Sequence, residues 1–343
     1  MLKRLIIKFF LSKIYFCLLN VVLFLYKINF LKTYSFKKNN IISIGNLSIG
    51  GSGKTPMVIA LSKVLNDLNV SHAVVSRGYK KTSSGEVVVS DGLNIIKDYK
   101  KSGDEPFLLA SALRGVPVVV GNKVRAIRRV NKFKKYKTIL IDDGYQTFKI
   151  QRDLNILLLD LSRDARDYKL LPLGFLREPL SAISRADVVV FTKEPRGSSK
   201  KLKCYLKSCV DLNRQLLLET QAVYSLLEHK KNSFIKINHI INNPTLCFSG
   251  IASPKPFIKT AKKMFSNIVE NFVFPDHCDY GSKEMLKIKS VLNKKNISSV
   301  VTTMKDFIKI KSLLPGVSIF VVDVKYDILK VDLLIKKIRM LKN

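Results

Sequence analysis

The sequence has few of the residues that build disulfide frameworks or structural zinc sites. Five cysteines are scattered over 343 residues, their number is odd, and no C-x-x-C spacing occurs. This usage indicates a reducing compartment and argues against a structural zinc site. The chain also lacks an internal repeat, a low-complexity tract and an N-K-x-D motif. The missing motif weighs against a guanine-specific GTPase.

Acidic residues are scarce: 26 Asp and Glu stand against 60 Lys and Arg, which gives a net charge of +34. Such a charge draws a protein toward phosphates on nucleic acid, on anionic lipid headgroups or on a phosphorylated substrate. Because the lysines spread along the whole chain, the charge is weak evidence for nucleic acid, and we expect no nucleic-acid partner. An apolar fraction of 47% excludes wholesale disorder, and the length suits two modest domains.

No uncharged apolar run near the N-terminus reaches the roughly twenty residues that a bilayer crossing needs. The run 14–26 is bounded by Lys13 and Lys27, and no small-residue cleavage site follows it, so a signal peptide is not indicated. Lys13, Asn20 and Lys27 recur every seven residues and fall on one side of an otherwise apolar helix. We expect residues 1–36 to form a membrane-associating helix on an anionic surface. A membrane-spanning helix and a helix packed in the protein core are the alternatives.

A glycine-rich loop lies between an apolar run and a helical pattern in residues 41–55, IISIGNLSIGGSGKT. Glycines let backbone N–H groups turn toward phosphate oxygens, and a helix N-terminus adds partial positive charge. Lys54 would reach the β- and γ-phosphates, and the Thr55 hydroxyl would bind Mg²⁺. The pattern G-x-x-x-x-G-K-[ST] fails only at its first glycine. We predict a nucleotide-binding loop made of Ser48, Ile49, Gly50, Gly51, Ser52, Gly53, Lys54 and Thr55.

Apolar strands alternate with helical patterns along the rest of the chain. This alternation predicts an α/β fold in which a P-loop NTPase-like, mainly parallel sheet is covered by helices, followed by a smaller C-terminal α/β domain. The predicted units are an N-terminal helix (1–36), a phosphate-loop core (37–210), a linker (211–243) and the C-terminal domain (244–343). Ligands of such sheets bind at the carboxyl ends of the strands, where the polar motifs of this sequence fall.

Carboxylates at two of these positions are candidates for chemistry. Asp142 and Asp143 directly follow an apolar strand, which is the position of a Walker B metal ligand, although such residues also cap turns. Asp104 and Glu105 open a predicted helix in GDEP, where a helix N-cap is an equally good interpretation. The residues alone do not decide between these two roles.

Basic and histidine residues supply further candidates. His277 is one of four histidines and lies among acidic and turn-forming residues in FPDHCDY. A histidine taken alone is more often a surface or satisfied residue than a catalytic one. Arg177 with Glu178 offers a bidentate phosphate binder beside a carboxylate. Arg125 and Arg77 are further phosphate-binding candidates that could equally lie on the surface. The pair at 305–306 would hold a nucleotide or form an ion pair.

Taken in order, these motifs resemble one family, tetraacyldisaccharide 4′-kinase, the lipid A 4′-kinase of Gram-negative bacteria. The matching stretches run from about residue 41 to 306 and are IGNLSIGGSGKTP, SRGY, GDEP, DDGYQ, LPLGFLREPL, FTK, FSGIASPKPF, FPDHCDY and TTMKD. The family shares the serine at position 48. The resemblance implies transfer of the ATP γ-phosphate to the 4′-hydroxyl of tetraacyldisaccharide 1-phosphate in lipopolysaccharide biosynthesis. It places the enzyme at the cytoplasmic face of the inner membrane.

The resemblance also implies roles for single residues. Asp104 looks like the base for the sugar hydroxyl, with His277 assisting it, and Lys54 looks like the ligand of the transferred phosphate. The implied cofactors are ATP and Mg²⁺, and no protein partner is predicted. The implied Mg²⁺ ligands are Thr55, Asp142 and Asp143. The positions that match substrate or nucleotide handling are Tyr79, Glu105, Arg125, Arg177 and Glu178.

The alternative function is a membrane-associated P-loop ATPase or GTPase switch. A switch would use the same phosphate loop and N-terminal helix but would transfer no phosphate to a lipid. A nucleic-acid binder is a further rival, and it would need a localised basic face with interleaved aromatic residues. The carboxylates at the strand ends argue against it.

Overall fold

A computed structural model describes residues 2–79, 81–133, 136–193, 199–231 and 233–341 of the chain. Within these ranges the chain forms one mixed sheet of 13 strands with helices packed on its faces. The strands are β1 (Asn40–Asn46), β2 (His72–Ser76), β3 (Val87–Ser90), β4 (Val118–Val120), β5 (Thr138–Asp142), β6 (Leu154–Asp160), β7 (Val188–Thr192), β8 (Leu216–Lys230), β9 (Ser233–Ile237), β10 (Thr245–Ser249), β11 (Ile268–Val273), β12 (Ser299–Thr303) and β13 (Ser318–Ile328).

The helices between them follow the alternation that the sequence predicts. They are α1 (Leu2–Lys27), α2 (Lys54–Asp67), α3 (Tyr99–Ser102), α4 (Asp104–Ala112), α5 (Lys123–Val130), α6 (Ser199–Ser208), α7 (Pro254–Met264), α8 (Ser282–Lys294), α9 (Met304–Ile310) and α10 (Val331–Arg339). The predicted fold class, a mainly parallel sheet covered by helices with an apolar helix at the N-terminus, is confirmed. Residues 194–198, in the predicted core, and 342–343, at the end of the predicted C-terminal domain, lie outside the described ranges.

The strand order is β11-β10-β12-β13-β8-β7-β6-β1-β5-β2-β4-β3, with β9 paired to β8. Strands β4, β2, β5, β1, β6, β7 and the start of β8 are parallel, and so are β11, β10, β12 and β13. Strand β8 pairs parallel to β7 at its start and antiparallel to β13 along the rest of its length. The two α/β units are therefore joined by hydrogen bonds through one long strand.

The predicted linker 211–243 is corrected by this strand. It contains the 15-residue strand β8 and the five-residue strand β9. Only three positions of β8 are buried, Leu218, Leu226 and Glu228, although most of its residues from 216 to 227 are apolar. Its apolar residues are followed by the polar and basic stretch 228–243, and a strand solvated on much of its surface lacks the continuous buried run that marks a core strand.

The core of the phosphate-loop unit takes in the end of the chain. In α2, Met57 and Leu61 are fully buried against the strands. The same apolar cluster contains Leu334 and Ile338 of α10 and Tyr326 of β13. The last part of the predicted C-terminal domain (244–343) thus packs on the phosphate-loop unit, where it closes the cluster over α2.

Helix α1 lies against the body along a narrow stripe. The Ser12 hydroxyl donates to the carbonyl of Leu170 at 3.4 Å, and the Tyr15 hydroxyl donates to the carbonyl of Arg177 at 2.6 Å. About three turns further along the helix, the ring of Tyr26 lies 5.7 Å from the ring of Phe148. Because the remaining surface is mostly exposed, the alternative of a core helix is wrong.

The exposed face of α1 is apolar. Its exposed large side chains are Leu5, Ile6, Ile7, Phe9, Phe10, Leu11, Ile14, Phe16, Leu18, Val21, Val22 and Phe24. By length and composition the stretch Lys3–Lys27 could cross a membrane. An unpartnered apolar face of this size is typical of a surface that binds lipid or protein.

Candidate active site

The glycine-rich loop connects β1 to the first turn of α2, as the sequence predicts. Gly50 and Gly53 have φ angles of +89° and +88°, which is the left-handed region that side chains disfavour. At Gly53 a Cβ would also collide with the hydroxyl of Tyr326 from β13. A glycine is required there because the C-terminal unit packs directly on the loop.

Side chains from the neighbouring strand ends hold the carbonyl groups of this loop. The Thr192 hydroxyl donates to the carbonyl of Ser52 at 3.1 Å, and Lys193 Nζ donates to the carbonyl of Gly51 at 2.7 Å. Lys193 is itself held by the buried carboxylate of Asp160, at 2.5 Å. In a trans peptide the N–H group points opposite to the carbonyl. Fixing these carbonyls therefore turns the next N–H groups toward the other side, where a phosphate would bind.

A third carbonyl is held at the start of the loop. Arg163 Nη2 donates to the carbonyl of Ile49 at 2.6 Å, and its guanidinium stacks 5.4 Å from the ring of Phe175. The Ile49 N–H group donates to the carbonyl of Phe175 at 2.8 Å. The phosphate loop is thus tied on both sides before any nucleotide is bound.

We expect Lys193→Met to raise KM for ATP by about 10-fold or more with a smaller change in kcat. The substitution removes a charge-assisted hydrogen bond, which is worth about 1.5–3 kcal/mol. Initial-rate kinetics at varied ATP measure the effect. Lys203→Met is the control, because Lys203 pairs with Glu219 at 2.7 Å away from the loop and should leave KM unchanged. An unchanged KM in a folded Lys193→Met protein would contradict the role given to this lysine.

Asp142 ends β5 beside the phosphate loop. Its Oδ2 accepts a hydrogen bond from the Ser76 hydroxyl at 3.0 Å, while Oδ1 is buried with no hydrogen-bond partner among the described residues. Burial raises the pKa of Asp142 to about 6, and the charges of Glu105 and Asp143 add to the rise. A buried carboxylate oxygen without a donor is an open ligand position for a cation.

Asp143 is neutralised by two basic residues. Arg177 holds it through a bidentate pair, with Nη2 2.9 Å from Oδ1 and Nη1 3.1 Å from Oδ2. Lys54 Nζ lies 3.7 Å from Oδ1. Burial acts to raise the pKa of Asp143, but the Arg177 hydrogen bonds and the Lys54 charge hold it well below its usual range. Asp143 is therefore ionised and positions both basic side chains at the loop.

Two residues at this site escaped the sequence-based prediction. Asn46, the last residue of β1, accepts from Arg177 Nη2 at 2.5 Å and from Lys54 Nζ at 3.4 Å. Lys123 Nζ donates to the backbone carbonyl of Asp143, and burial lowers the pKa of Lys123 to about 8. Asn46 ends a buried strand, and Lys123 begins α5 three residues after the end of β4. A polar residue close after a buried strand was the available signal.

Asp104 and His277 come from different units and meet beside the loop. His277 Nδ1 lies 3.1 Å from Asp104 Oδ2, and Lys309 Nζ lies 2.6 Å from the same oxygen. Burial acts to raise the pKa of Asp104, but His277, Lys309 and Lys305 bring it below the usual value. The carboxylate is therefore ionised and poised to accept a proton.

The remaining predicted residues divide into those near this pair and those apart from it. Glu105 lies 3.5 Å from Lys305 Nζ, and the Tyr79 ring lies 5.1 Å from the His277 ring. Arg125 is exposed in the first turn of α5, at the carboxyl end of β4. These positions lie at one edge of the sheet, where the sequence analysis expects the ligand.

Glu178 lies enclosed in the protein beside the site. Its side chain is fully buried, 2.6 Å from Arg185 Nη2 and 2.8 Å from Gln146 Nε2. A carboxylate enclosed in this way orients its neighbours, and the part of Glu178 in substrate handling stays a prediction. Arg177, the preceding residue, reaches the site.

Comparison with known proteins identifies the family of the chain. The family described as "Tetraacyldisaccharide-1-P 4'-kinase" matches residues 5–341. The chain belongs to this family. The tetraacyldisaccharide 4'-kinase of Halothermothrix orenii is 34% identical over 316 residues, 87% of this chain and 81% of that protein. That of Syntrophus aciditrophicus is 33% identical over 281 residues, 79% and 75% of the two chains.

A solved structure extends the likeness to the whole fold. The LpxK crystal structure from Aquifex aeolicus, determined in complex with ATP, has a TM-score of 0.76 and 30% sequence identity, and the match covers 96% of both chains. Membership in the tetraacyldisaccharide-1-P 4'-kinase family confirms the resemblance seen in the sequence motifs. The alternative of an ATPase or GTPase switch is not favoured.

Proposed function

We propose that this protein is an ATP-dependent lipid kinase that transfers the γ-phosphate of ATP to the 4′-hydroxyl of tetraacyldisaccharide 1-phosphate. The observation that carries the proposal is the meeting of Asp104 with His277, 3.1 Å apart, beside a complete phosphate loop in a chain of this kinase family. ATP is the expected nucleotide because the related LpxK was solved with it. The tied loop and Lys54 supply the phosphate cradle.

In this proposal the sugar hydroxyl attacks the γ-phosphorus as its O–H bond breaks. The new O–P bond forms, the bond from phosphorus to the ADP oxygen breaks, and the proton passes to Asp104. A sugar hydroxyl has a high pKa, so a carboxylate accepts its proton only as bonding to phosphorus develops. Asp104 and His277 belong to different units, so the pair forms only when the two units are in contact. Closure of the cleft between them would exclude water from the reacting phosphate.

Mg²⁺ is the metal that fits the residues present. The open Oδ1 of Asp142, the ionised Asp143 and the Thr55 hydroxyl that follows Lys54 form an all-oxygen set. No group of three or more His, Cys, Asp or Glu side chains suited to a metal occurs in the described residues. A Mg²⁺ site with one or two carboxylates completed by substrate phosphates has this composition. The metal would neutralise charge on the β- and γ-phosphates.

We expect chelation with EDTA to abolish phosphate transfer and added Mg²⁺ to restore it. Asp142→Asn should raise the Mg²⁺ concentration needed for half-maximal rate, because it removes the charge from the open ligand. Titration of Mg²⁺ at fixed ATP measures both effects. Asp153→Asn is the control, since Asp153 accepts from the N–H group of Ile41 at the other end of β1. Full activity in EDTA would contradict the proposed metal.

The function is tested by following labelled γ-phosphate from ATP into tetraacyldisaccharide 1-phosphate in detergent micelles. We expect label in the lipid, in an amount equal to the ADP formed. ADP formation without labelled lipid would contradict the kinase proposal and favour the membrane ATPase alternative. Absence of nucleotide turnover in a folded protein would refute the kinase proposal.

We further propose that α1 lies on the cytoplasmic face of the inner membrane. Its contacts with the body run from Ser12 to Tyr26, about 21 Å of helix at 1.5 Å per residue. A helix held along this length by a folded domain cannot cross the bilayer as well. Lys3, Arg4 and Lys8 near its start suit anionic headgroups. No protein partner is part of this proposal.

The double substitution Phe10→Glu and Leu18→Glu should release the protein from vesicles that contain anionic lipid. Both side chains are strongly exposed on α1, 64% and 61%, so the double variant should fold normally. Burying two carboxylates among acyl chains is costly, which lowers the bound fraction about 10-fold or more. Co-sedimentation with vesicles measures it. The control is the double variant Met340→Glu with Leu286→Glu, in which Met340 directly follows α10 and Leu286 lies in α8; both side chains are also exposed, at 83% and 69%. Equal binding of the two double variants would contradict the role of α1.

A further inference from the structure

Two lysines of α9 bracket the Asp104–His277 pair from opposite ends. Lys309 Nζ contacts Asp104 Oδ2 at 2.6 Å and donates to the carbonyl of Cys278 at 2.8 Å. Lys305 Nζ lies 3.2 Å from His277 Nε2. The two lysines are four residues apart, so one face of a single helix presents both. They come from the C-terminal unit, as does His277.

The contact with Lys305 decides which nitrogen of His277 carries the proton. Lys305 lies between two carboxylates, 3.5 Å from Glu105 and 3.7 Å from Asp276, and is therefore placed as an ammonium. An ammonium group has three donors and no acceptor. Its partner Nε2 must then be the unprotonated nitrogen of a neutral imidazole. The proton sits on Nδ1 and is donated to Asp104 Oδ2.

The contact with Lys309 decides how the two oxygens of Asp104 are used. Both donors, the imidazole N–H of His277 and the Lys309 ammonium, converge on Oδ2. In the described part of the chain no hydrogen bond reaches Oδ1. The Lys309 side chain is 1% exposed, so its charge acts at close range with little solvent screening. Asp104 is held as a carboxylate with one oxygen left for the sugar proton.

We propose that Lys305 and Lys309 are positioning residues that fix the Asp104–His277 pair as a carboxylate and a neutral imidazole. In this state His277 has no nitrogen to accept the sugar proton, because Nε2 already accepts from Lys305. The proton therefore goes to Asp104 Oδ1, and His277 orients the carboxylate. The catalytic role of this arrangement rests on the kinase function proposed above. The hydrogen-bond pattern does not depend on that function.

Other charged groups around the pair do not replace the two lysines. Asp276 Oδ2 is 3.8 Å from His277 Nε2, which is too long for a hydrogen bond. Glu105 faces the pair through Lys305. Tyr99 of α3 is also nearby, and its pKa is raised chiefly by burial, with smaller contributions from the charges of Asp279 and Asp104. The net field at Asp104 therefore comes chiefly from Lys309, Lys305 and the His277 N–H group.

The tautomer of His277 is tested directly in the unmodified protein. Histidine ¹⁵N labelling gives four imidazoles, and loss of one set of signals in His277→Asn assigns the relevant one. We expect long-range ¹H–¹⁵N spectra near neutral pH to show a neutral ring with its proton on Nδ1. A proton on Nε2, alone or in an imidazolium, would overturn the proposal. In Lys305→Met, which removes the ammonium donor to Nε2, the fraction of rings that carry a proton on Nε2 should rise.

The role of Lys309 is tested by the pH profile of kcat/KM for the lipid. The active form needs Asp104 ionised, so activity is lost as the pH falls through its pKa. Lys309→Met removes the charge that lowers this pKa, and the acid limb should move about 1–3 pH units higher. Lys311→Met, in the exposed residue that follows α9, should keep the wild-type profile.

A purely structural role for the lysines predicts a lower rate with the same profile, and that result in folded Lys309→Met would overturn the proposal. If Lys309→Met does not fold, Lys309→Gln takes its place, because it also removes the charge and should move the acid limb in the same direction. The spectrum of the unmodified protein needs neither variant nor any kinase activity. A chain that labels no lipid but shows the Nδ1–H ring would refute the function and leave the hydrogen-bond assignment standing.

Discussion

Asp104→Asn is expected to lower kcat for lipid phosphorylation by about 10²–10⁴-fold, the usual contribution of a general base. Asparagine has nearly the same shape, and its carbonyl oxygen still accepts from His277 and Lys309. It has no carboxylate to take the sugar proton. Because the contacts of Asp104 are with His277 and Lys309 rather than with the phosphate loop, KM for ATP should change little.

Steady-state kinetics with ATP and the lipid varied in turn separates these effects. The matched control is Asp98→Asn, which alters a carboxylate at the start of the preceding helix α3. Asp98 caps that helix by accepting from the N–H group of Lys101 at 2.9 Å, and asparagine caps equally well. The control should retain wild-type rates. Wild-type kcat in Asp104→Asn would remove Asp104 from the chemistry.

Lys54→Met is expected to lower kcat by about 10²–10³-fold and to weaken ATP binding as well. The lysine begins α2, and its ammonium lies 3.7 Å from Asp143 and 3.4 Å from Asn46, at the mouth of the phosphate loop. A positive charge placed where negative charge develops on the transferred phosphoryl group is among the largest contributors to catalysis. Methionine keeps the chain length and removes the charge.

The stabilisation of the fold by ATP provides a second measurement for this variant. ATP binds only the folded state, so it raises the Tm of the wild-type protein, and the rise should shrink in Lys54→Met. Lys63→Met is the matched control, since Lys63 lies on the exposed side of the same helix. Equal shifts in Tm for wild type and Lys54→Met would show that this lysine does not hold phosphate.

The part of the fold that the sequence predicted is the part built from buried parallel strands. Strands β1 and β5 are covered on both faces, so each is buried almost throughout and largely apolar, and each ends at a polar residue, Asn46 in β1 and Asp142 in β5. The glycine-rich loop was also predicted correctly, because glycines followed by Lys and Thr at the start of a helix are typical of one kind of site, a phosphate-binding loop. Local pattern and tertiary environment agree in these elements.

The bridging strand β8 could not be recognised in this way. Its pairing changes from β7 to β13 after its first four residues, and most of its side chains remain in contact with solvent. What makes it a strand is the presence of partners far along the chain. The same reason explains why α10 was assigned to the C-terminal domain although Leu334 and Ile338 pack on the phosphate-loop unit.

The finer parts of the site also depend on contacts between distant residues. Lys193 was noted only as part of the FTK motif, yet its ammonium holds the Gly51 carbonyl. Lys309 is one lysine among many in the sequence, and nothing local marks it as buried against Asp104. Conversely, Glu178 follows Arg177 in the sequence, which suggested that both residues face the phosphate. The sequence does not show that Arg185 and Gln146 contact the Glu178 carboxylate in the interior of the protein. The roles of the individual site residues therefore remain proposals, and the variants described above test them.

The position of the new phosphate on the lipid tests the central claim most directly. The product of a reaction of the full chain with ATP, Mg²⁺ and tetraacyldisaccharide 1-phosphate is isolated and characterised by mass spectrometry and by ³¹P–¹H correlation. The account predicts a lipid heavier by one phosphate, whose new phosphorus couples to the proton on the 4′ carbon. Phosphate on any other hydroxyl, a pyrophosphate at the 1-position, or ADP formed with the lipid unchanged would contradict it.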